Sequence, residues 1–551
     1  MKSTYYADFE TTTINENNEV RVYLWVILRG NRVYQGSTIE SFMEKILSMS
    51  DATIYFHNLK FDFSYIHYFM IKNNIDYSIC EKKGTIYNVK INKVELRDSM
   101  NFMPMSLKEV GEKYCEVYHK TSIDYEVNYD HIPTQEEIDY CINDCRVLEE
   151  GLTNYIKTIE QVLVEANCQK TISRLHRRLT NAGIAFDAFK ELSDFEKCCP
   201  KTTQAEYELF KGAYKGGFVY SNPKGIVKDV QMIDCNSMYP YIYSSIEMPY
   251  GNPIDCTSFK DVSRFKFYIV GILIKYELKP GYIAIIGGGV GKYGGIKYKA
   301  SSNGEYEELV VCSTDLNLIK EFYDYDIQFL WGKGFESKPN FFKEYADIFI
   351  KFKNKYRGIQ RAVAKVFLNS PYGKTAMNGF NEIKGYKIDD ANGVSSFVKG
   401  YEIDDHAYQY LPMAIAITAG ARNLLLTTAK KIGFENVYYM DTDSIKFKYK
   451  KTGIEYNDNV LGDWKDEGRC SLFKTISPKK YVYYHDHRLY YTCAGFSKKV
   501  LEQEMQHTRR MTKEEAIHYM NLFDTGLELE CLQSKVVKGG RALIPIKKQI
   551  K

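Results

Sequence analysis

The alternation of apolar and polar residues predicts a β-hairpin between Val437 and Phe447. Two runs of β-favouring residues flank Asp441, Thr442 and Asp443, which is the pattern of two strands joined by a tight turn. Two carboxylates at one hairpin tip repel each other and lose hydration if the tip is enclosed, so a cation is expected beside them. Oxygen ligands without a neighbouring His or Cys favour Mg²⁺ or Mn²⁺ over zinc. A turn stabilised by aspartate side chains, with no metal, would produce the same pattern.

A second apolar run predicts a buried strand that ends at Asp234. The run occupies the first part of Val227–Tyr241, and Ser237, a residue type favoured at helix N-caps, follows it. Tyr239 and Pro240 suit the first turn of a short helix. An aspartate at a strand end can face the turn of another strand across a sheet, so Asp234 is a candidate partner of the hairpin carboxylates.

Two further pairs of polar residues lie near the amino terminus. Thr4–Phe9 predicts a strand, and its alternation places Asp8 and Glu10 on the same side of the extended backbone. Asn58 and Asp62 are four positions apart, so they share a face if that segment is helical. Each pair by itself is a weak indication of a binding site.

A strongly helical pattern covers Glu136–Leu152, in which Tyr140 and Asp144 share one face. Carboxylates therefore recur on three separate amino-terminal elements. A two-metal hydrolytic site needs acidic ligands for two cations roughly 3.5 to 4 Å apart and a group that orients the attacking water. Acidic residues on the exposed faces of amphipathic elements are the alternative interpretation.

The pattern from Phe341 to Leu368 predicts a helix with a cationic face. Arg357, Arg361 and Lys365 are spaced by four residues, so they drift only slowly around one side of a helix. Such a face suits a ligand that carries phosphate groups, because positioning with charge neutralisation is most of what phosphoryl transfer requires. A helix face that is merely solvated would show the same spacing.

Composition places the chain among large globular proteins. Its 551 residues are 44% hydrophobic and 15% aromatic, enough to bury the cores of several domains. No apolar run approaches the roughly 20 residues of a membrane span, and the polar start MKSTYYADFE is no signal peptide, so a cytoplasmic setting is expected. Thirteen cysteines occur without a CxxC pair, which predicts reduced core residues, Cys141 and Cys145 among them.

Charge is informative only locally, because the net charge is just +4. Lys343–Lys374 contains eight Lys or Arg against Glu344 and Asp347, and Lys535–Lys551 contains six with no acidic residue. A solvated surface would explain either cluster alone. Two such clusters flanking a carboxylate site indicate a path for phosphates.

Three motifs in chain order resemble the A, B and C motifs of B-family DNA polymerases. They are Asp234-Cys-Asn-Ser-Met-Tyr-Pro, Lys365-x3-Asn369-Ser-x-Tyr372-Gly and Tyr439-x-Asp441-Thr-Asp443-Ser. The chain is most similar to the protein-primed branch of phages and linear plasmids, over essentially its whole length. The resemblance implies Asp234 and Asp443 as principal metal ligands, supported by Asp441 and joined by the main-chain carbonyl of Cys235.

The same resemblance implies a nucleotide site. Its members would be Tyr239, Arg361, Lys365, Asn369 and Tyr372. Tyr239 would exclude a ribose 2′-hydroxyl by packing under the sugar, and Tyr372 would pack near the nascent base pair. Pro371 stands where relatives more often have Leu; because proline cannot donate the helical amide bond, the helix is expected to end or kink there.

The amino-terminal pairs resemble the Exo I, Exo II and Exo III motifs of 3′-5′ proofreading exonucleases. The implied metal ligands are Asp8, Glu10, Asp62 and Asp144. Tyr140 would orient the nucleophile, and Lys120, in a Lys-x2-hydrophobic motif, would assist cleavage. The implied contacts with a frayed single strand are Thr11, Asn58, Phe61 and Ser99, with Phe61 suited to stacking on a base.

Two shorter motifs imply further DNA contacts. Tyr214-Lys-Gly216-Gly217 resembles the Tyr-x-Gly-Gly motif of these enzymes, and paired glycines let the backbone approach a template strand closely. A Gly-Gly turn without a ligand is the alternative. Lys479-Lys-Tyr481 fits the Lys-x-Tyr motif that holds the primer end, where a basic residue beside an aromatic one suits a sugar-phosphate backbone.

By resemblance, the fold class is mixed α/β, with an RNase H-like exonuclease domain before a right-hand polymerase. The predicted domains are an exonuclease domain (1–165), palm (166–248 and 403–481), a first insertion (249–342), fingers (343–378), a second insertion (379–402) and a thumb (482–551). The first insertion would be a platform for the priming protein and duplex, with a glycine-rich hairpin tip within Gly281–Gly295. The second, with a turn signal at Asn392-Gly393, would grip DNA and help separate strands.

The sequence thus predicts templated DNA synthesis with proofreading, using dNTPs and two Mg²⁺ or Mn²⁺ ions at each site. Expected partners are template and primer DNA, a separate terminal protein that primes synthesis, and a single-stranded-DNA-binding protein; the enzyme is expected to be monomeric. The alternative is a nucleic-acid-primed B-family polymerase, against which stand the two insertions, the exonuclease motif beginning at Asp8 and the absence of a cysteine-rich tail. A non-catalytic single-strand-binding protein is a more remote alternative, because every expected carboxylate is retained.

Overall fold

The computed structural model describes residues 2–123, 127–290, 296–389 and 393–550, and its first part is built on a seven-stranded sheet. The elements in chain order are β1 (Ser3–Thr11), β2 (Val22–Arg29), β3 (Arg32–Gly36), α1 (Ile39–Ser48), β4 (Ala52–Phe56), α2 (Leu59–Lys72), β5 (Ser78–Lys82), β6 (Thr85–Ile91), β7 (Val94–Asp98), α3 (Leu107–Tyr114) and α4 (Gln135–Glu165). The strand order is β3-β2-β1-β4-β7-β6-β5, with β4 parallel to both β1 and β7. The strand predicted at Thr4–Phe9 is confirmed within β1.

Helix α4 covers one face of this sheet. It packs against β1 and β2, and its first turn is held by a capping box between Thr134 and Glu137. Seven of the eight residues of β2 are buried, because α4 lies on one side of that strand and α1 on the other. The predicted helix Glu136–Leu152 is confirmed within α4, and its start places Tyr140 and Asp144 over the carboxyl end of β1.

A helical segment leads from this sheet to the second half of the chain. Its elements are α5 (Gln169–Arg174), α6 (Asn181–Glu191), α7 (Phe195–Cys198), α8 (Gln204–Phe210), β8 (Val219–Ser221), β9 (Val227–Cys235) and α9 (Met238–Ser245). The predicted strand before Asp234 and the short helix after it are confirmed by β9 and α9. Ser237 occupies the N-cap position, but its φ of 50° is left-handed and its side chain makes no capping hydrogen bond. Its hydroxyl instead accepts a hydrogen bond from Lys353.

The predicted first insertion forms a sheet of its own. Its elements are β10 (Met248–Cys256), α10 (Phe259–Val262), β11 (Phe267–Leu278), β12 (Ile286–Val290), β13 (Ile296–Lys299), β14 (Glu307–Cys312), α11 (Ser313–Phe322) and β15 (Tyr323–Lys338). The four-stranded sheet has the order β10-β15-β11-β14, and β12 pairs with β13 as an antiparallel hairpin. The glycine-rich hairpin is therefore confirmed in its strands, while residues 291–295 of the segment Gly281–Gly295, in which the tip was predicted, lie outside the described residues.

Two helices, α12 (Lys343–Lys355) and α13 (Gly358–Thr375), replace the single helix predicted across Phe341–Leu368. That prediction is wrong because the backbone leaves the helical conformation between them: Tyr356 is extended, and Gly358, the first residue of α13, has a φ of +55°, which the interior of a right-handed helix does not adopt. Arg357 precedes it with an extended backbone and lies outside α13, at the N-cap position. Of the three cations assigned to one helical face, Arg361 and Lys365 remain on α13.

Of the end or kink predicted at Pro371, the end is not observed, because α13 continues to Thr375. Proline offers no N–H to the carbonyl of Phe367, four residues earlier. The buried hydroxyl of Tyr345 on α12 donates to that carbonyl at 2.7 Å. A side chain on the neighbouring helix therefore supplies the hydrogen bond that the proline removes.

The predicted second insertion is a β-hairpin of β16 (Phe380–Asp389) and β17 (Gly393–Ile403). Of the predicted turn, Gly393 has a φ of +74°, and Asn392 lies outside the described residues. Several large apolar side chains on these strands are exposed. They are Phe380, Ile383, Phe397, Val398, Tyr401 and Ile403.

The second seven-stranded sheet carries the predicted Asp441–Asp443 hairpin. After α14 (Leu411–Ile432) come β18 (Val437–Asp441), β19 (Ser444–Lys448), β20 (Trp464–Ser477), β21 (Lys480–His485) and β22 (Arg488–Cys493). The order is β22-β21-β20-β9-β19-β18-β8. Because β9 and β19 are neighbours with Asp234 opposite Ser444, the two predicted carboxylate sources meet at one end of the sheet. The thumb limit predicted at 481/482 falls inside β21, which belongs to this sheet.

The last elements are α15 (Lys498–His507), α16 (Lys513–Thr525), β23 (Glu528–Val537) and β24 (Gly540–Gln549). The tip of the β23–β24 hairpin packs into the first domain, where Val537 and Ala542 join the core that contains β1 and α2. Tyr65 donates a hydrogen bond to the main-chain carbonyl of Arg541. A Cβ on Gly540 would lie 2.4 Å from the Tyr65 ring, so glycine is required for this close contact.

Two composition-based predictions can be compared with the structure. All thirteen cysteines are free thiols, as predicted, and Cys141 and Cys145 are fully buried. Among the helices that the structure describes, none combines the length and apolar character needed to cross a membrane.

Candidate active sites

The first cluster of carboxylates lies where β1, α2 and α4 meet. Asp8 and Glu10 project from the same face of β1, Asp62 lies in the first turn of α2, and Asp144 lies on α4. Burial raises the pKa of Asp8 to about 7, the charge of Asp144 adds to the rise, and Lys120 opposes it. The four predicted acids are therefore close enough to resist ionising together.

The carboxyl groups of Asp62 and Glu10 also resist ionisation. Burial, followed by the charge of Asp8, raises the pKa of each carboxyl well above its ordinary value. Both side chains are buried, and such acids in proteins are normally paired or bound to a metal. The donor set is made of hard oxygens, which suits a divalent cation.

Lys120 and Tyr140 flank the cluster. The Lys120 ammonium forms an ion pair with Asp144 and donates to the Tyr140 hydroxyl at 2.7 Å. The second oxygen of Asp144, Oδ1, is buried and has no hydrogen-bond partner in the described part of the chain. A buried carboxylate oxygen without a partner is costly, so its presence beside three other acids fits a bound cation.

Three of the four predicted single-strand contacts line the approach to this cluster. Asn58 is exposed at the start of α2 with a left-handed φ of 70°, and its main-chain N–H donates to Asp98. Phe61 and Thr11 are half-buried. Ser99 is completely buried, and its hydroxyl is hydrogen-bonded to His57 at 2.8 Å, so its contact with DNA stays a prediction.

The second cluster is formed by Asp234, Asp441 and Asp443. The N–H of Cys235 donates to the carbonyl of Asp443 at 2.7 Å, and the N–H of Thr442 donates to Phe218 at 2.9 Å. These main-chain bonds hold the turn between β18 and β19 against the end of β9. The predicted convergence of the two motifs is therefore present in the structure.

The carboxyl groups of Asp234 and Asp443 in this second cluster resist ionisation, because they are partly buried and close to one another. Burial raises the pKa of Asp234 to about 7, aided by the charges of Asp443 and Glu467 and opposed by Lys446. Burial also raises the pKa of Asp443, with Asp441 adding to the rise. Two enclosed aspartates that are hard to ionise together fit a site for divalent cations. The Cys235 thiol contacts the carbonyl of Gly462, so only its own carbonyl is a candidate ligand.

The predicted nucleotide residues surround this cluster. The rings of Tyr239 and Tyr372 stack with centroids 4.1 Å apart and an interplanar angle of 28°. Asn369 and Lys365 lie one turn apart on α13, and the Asn369 amide donates to the Lys365 carbonyl at 3.0 Å. The contact between the two tyrosines exists because α13 continues through Pro371.

Sequence reasoning missed Lys353 on α12. This lysine is only 8% exposed, and its ammonium donates to Asn236 at 2.9 Å and to Ser237 at 2.8 Å. Burial lowers its pKa to about 8, with Arg361 and Lys365 adding to the effect. It therefore extends the cationic surface of α13 to the residues that follow Asp234. Its only signal in the sequence was membership of the basic stretch Lys343–Lys374.

Sequence reasoning also missed Lys446, which lies on β19 three residues after Asp443. It is 7% exposed, and its ammonium lies 4.7 Å from the Tyr481 ring centroid and 5.3 Å from that of Tyr439. Its charge lowers the pKa of both Asp234 and Asp443. The alternation of β19 was the available signal, since Lys446 must share a face with Ser444, opposite Asp234.

The Tyr-x-Gly-Gly segment contacts the Asp441–Asp443 turn directly. A Cβ on Gly217 would lie 2.4 Å from the Thr442 hydroxyl, whereas a Cβ on Gly216 would meet nothing within 4 Å. The space beside Gly217 is therefore filled by Thr442 of the same protein. Of the two glycines, Gly216 is the one with open space for a ligand. Tyr214 is half-buried against the same core.

The Lys-x-Tyr residues lie on the other side of the turn. The N–H of Lys479 donates to the Tyr439 hydroxyl at 3.0 Å, and the rings of Tyr481 and Tyr439 have centroids 4.9 Å apart. The Tyr439 hydroxyl in turn donates to Asp441 at 3.3 Å. The proposed primer-end motif is thus connected to a carboxylate of the second cluster through one tyrosine.

Comparison with known proteins decides the family. A family model described as DNA polymerase type B, organellar and viral, matches residues 44–133 and 128–449. The chain belongs to this family. The DNA polymerase of Bacillus phage PZA is 30% identical over 521 residues, which cover 87% of this chain and 86% of the relative. The DNA polymerase of Streptococcus phage Cp-1 is 24% identical, with 87% and 88% covered.

Solved structures agree with this assignment. A Phi29 DNA polymerase complexed with primer-template DNA and incoming nucleotide substrates matches over 100% of both chains, with a TM-score of 0.84 and 25% identity. A Phi29 DNA polymerase complexed with single-stranded DNA matches with a TM-score of 0.82 and 24% identity. The mixed α/β fold and the enzyme class, a DNA-directed DNA polymerase, are thereby confirmed for this type B polymerase. The family implies divalent metal ions, which both carboxylate clusters fit.

Proposed function

We propose that this polymerase replicates a phage or linear-plasmid genome by protein-primed initiation, strand displacement and 3′-5′ proofreading. The observation that carries the proposal is the presence of two carboxylate clusters on two different sheets of one chain. Two clusters suit two opposed reactions, one that adds nucleotides and one that removes them. The full-length similarity to phage DNA polymerases supports this interpretation.

In synthesis, Asp234 and Asp443 would hold two Mg²⁺ or Mn²⁺ ions, with Asp441 and the Cys235 carbonyl as supporting ligands. When bound, such ions neutralise phosphate charge and lower the pKa of the attacking hydroxyl. Cations on α12 and α13 would bind the triphosphate of the incoming dNTP. They are Lys353, Arg361 and Lys365. Because Lys353 is already held by Asn236 and Ser237, that lysine needs little reorganisation when the nucleotide arrives.

The Tyr239–Tyr372 stack would form the floor under the sugar and the nascent base pair. Burial raises the pKa of Tyr239, so the ring is a neutral, rigid surface that leaves no room for a ribose 2′-hydroxyl. Asn369 would contact the nucleotide from the same helix. Lys479 and Tyr481 would hold the primer end, and Tyr214, Gly216 and Gly217 would face the template strand, Gly217 by shaping the turn.

In proofreading, Asp8, Glu10, Asp62 and Asp144 would hold two divalent cations. Tyr140 would orient the attacking water, and Lys120 would fix both Tyr140 and Asp144 through the contacts described above. Thr11, Asn58 and Phe61 would guide the frayed single strand to this cluster. Asn58 and Phe61 suit this role because both are accessible at the start of α2.

The remaining assignments follow the branch that the sequence resembles. The 249–342 sheet would receive a terminal protein, whose hydroxyl accepts the first nucleotide, together with upstream duplex. The 379–402 hairpin would separate strands, and residues 343–378 and 482–551 would act as fingers and thumb around the palm and the 1–165 exonuclease. The enzyme would work as a monomer in the cytoplasm of the host, alongside a single-stranded-DNA-binding protein.

Separation of the two activities tests the residue assignment. Asp443→Ala should reduce the rate of primer extension by several orders of magnitude and leave the rate of single-stranded DNA degradation unchanged. Asp144→Ala should do the reverse. Exposed aspartates on the same kinds of element, Asp324→Ala on β15 and Asp139→Ala on α4, are matched controls that should change neither rate. Loss of both activities in a well-folded single variant would contradict the two-site assignment.

Initiation is tested separately. With the terminal protein and the genome end supplied, a labelled nucleotide should become covalently attached to that protein in a reaction that needs Asp443. Extension of ordinary DNA primers without any such transfer would favour the nucleic-acid-primed alternative.

A further inference from the structure

A cysteine lies inside the first carboxylate cluster. The sulfur of Cys141, a carboxylate oxygen of Asp8 and a carboxylate oxygen of Glu10 all lie within 4.8 Å of one another. Within the described residues, no other group of three or more His, Cys, Asp or Glu side chains brings its ligand atoms so close together. Cys141 follows Tyr140 on α4 and is fully buried. Its thiol donates to the main-chain carbonyl of Asp8 at 3.6 Å, so the sulfur lies against the strand that carries Asp8 and Glu10.

A separate observation indicates that a ligand belongs at this place. Asp144, one turn further along α4, is 2% exposed, and its Oδ1 has no hydrogen-bond partner in the described chain. It follows Cys141 by three residues on α4, so its side chain lies on the same face of the helix as the sulfur. Oδ2 is engaged by Lys120, which leaves Oδ1 as a buried acceptor on that face, unpaired within the described chain.

The chemistry of these donors is mixed. Mg²⁺ and Mn²⁺ prefer oxygen ligands, whereas a thiolate favours softer cations such as Zn²⁺ and Cd²⁺. Zinc commonly takes four ligands drawn from thiolate, imidazole and carboxylate groups. One sulfur with three carboxylates is a donor set that a thiophilic cation can use and that Mg²⁺ can use only in part.

We propose that Asp8, Glu10 and Cys141, with Oδ1 of Asp144, form a site for a thiophilic divalent cation, and that its occupancy stops proofreading while synthesis continues. On binding, the S–H bond of Cys141 breaks, a metal–sulfur bond forms and the proton passes to solvent. The binding part rests on the geometry alone. The inhibitory part rests on the proposed exonuclease, because a cation drawn toward the sulfur would compete with the ions that the carboxylates are proposed to hold.

The second cluster lacks this arrangement, which is why synthesis should be spared. Cys235 lies next to Asp234, and its thiol donates to the carbonyl of Gly462 at 3.3 Å. Unlike Cys141, among the described residues it belongs to no group of three ligand atoms within 4.8 Å of one another. The described residues around Asp443 therefore offer oxygen ligands to a cation. The two clusters should differ in their sensitivity to zinc and not in their need for magnesium.

The chain also contains a matched control. Cys145 lies one helical turn beyond Cys141, is equally buried, and has its sulfur near the carbonyl of Val26. It does not belong to the three-residue group. The two thiols are hydrogen-bonded to each other. Substitution of Cys145 therefore changes the same helix, the same core and the neighbourhood of Cys141, but removes none of the proposed ligands.

Direct binding tests the first part of the proposal. Cd²⁺ is titrated into the full-length, magnesium-free protein, and thiolate-to-cadmium absorption in the near ultraviolet is recorded for wild type, Cys141→Ala and Cys145→Ala. Wild type and Cys145→Ala should share one tight equivalent that Cys141→Ala loses, with at least tenfold weaker binding. Glu10→Gln, which keeps the cysteine and the shape of the site, should also weaken that equivalent. Unchanged stoichiometry and affinity in Cys141→Ala and Glu10→Gln would overturn the proposal.

Activity tests the second part. Degradation of single-stranded DNA and primer extension are measured in constant Mg²⁺ with increasing Zn²⁺. Zn²⁺ should inhibit degradation by wild type and Cys145→Ala at concentrations at least tenfold below those needed for Cys141→Ala, and extension should respond equally in all three. If wild type degrades no DNA with Mg²⁺ alone, the proposed exonuclease fails, and the cadmium spectrum still decides whether the site exists. Equal inhibition of all three proteins would overturn the inhibitory role.

Discussion

The hydrogen bond from Tyr345 to the carbonyl of Phe367 compensates for Pro371, and this leads to a quantitative prediction. Tyr345→Phe removes the hydroxyl that lies 2.7 Å from that buried carbonyl. Proline at 371 provides no amide in its place, so the carbonyl is left without a partner. Leaving a buried polar group unpaired costs about 1 to 3 kcal/mol. The substitution should therefore destabilise the α12–α13 pair by about that amount.

A second substitution should reduce this cost. Pro371→Ala restores an N–H at the position that normally bonds to Phe367, without adding bulk to the core. In that background Tyr345→Phe should cost about 1 kcal/mol or less, the usual net value of one hydrogen bond. The double-mutant cycle should thus show a coupling energy of about 1 kcal/mol or more between Tyr345 and Pro371.

Amide hydrogen exchange measured by mass spectrometry is the suitable assay. A chain of several domains does not unfold in one step, so global melting would mix unrelated transitions. Exchange of peptides from α13 reports the local opening free energy, and 1.4 kcal/mol corresponds to a tenfold change in exchange rate. Tyr243→Phe is the control, because its hydroxyl donates to Leu368 at 2.9 Å, whose helical partner, the Tyr372 amide, does not depend on residue 371. Equal costs of Tyr345→Phe in both backgrounds would refute the reasoning.

Three further predictions concern the second cluster. The pKa of Asp234 is about 7 in the folded protein and about 4 when unfolded, so the folded state binds the proton more tightly and the stability of the metal-free protein should fall as pH rises from 4 to 7. Asp234→Asn should flatten that slope when the opening of β9 and β19 is followed by amide hydrogen exchange in the presence of a chelator. Gly217→Ala, whose Cβ would lie 2.4 Å from the Thr442 hydroxyl, should reduce extension at least tenfold and spare degradation, whereas Gly216→Ala should extend normally. Lys446→Met removes a positive charge near the carboxylates, so at pH 8.5 half-maximal extension should need several-fold less Mg²⁺; an unchanged magnesium titration would show that the charge is too distant to matter.

Local pattern was sufficient to predict the elements that carry the carboxylates. Alternation and turn residues identified β18 and β19, and helical spacing placed Tyr140 and Asp144 on one face of α4. The strand predicted before Asp234 is β9, and pairing with β19 is what brings Asp234 to the turn. That pairing joins segments about 200 residues apart, so it was inferred from the family resemblance and not from periodicity.

The errors arose where tertiary contacts override local preference. Gly358 breaks the predicted single helix, a signal that was present in the sequence and was outweighed by the regular spacing of the cations. Pro371 does not end α13, because a hydroxyl from another helix satisfies the carbonyl that the proline leaves free. The burial of Ser99 against His57 could not be inferred from its motif, and its contact with DNA stays a prediction. Lys353 was missed because its role depends on its distance from Ser237, far away in the sequence.

The packing of Val537 and Ala542 into the first domain has a consequence for how the protein is made. Tyr65 and the carbonyl that it contacts are separated by 476 positions. A ribosome produces the amino-terminal sheet long before it produces the hairpin that fills the last part of its core, and domains commonly begin to fold during synthesis. Part of the apolar core of the nascent first domain therefore stays exposed until the β23–β24 hairpin is translated. Folding of that domain should be completed only then.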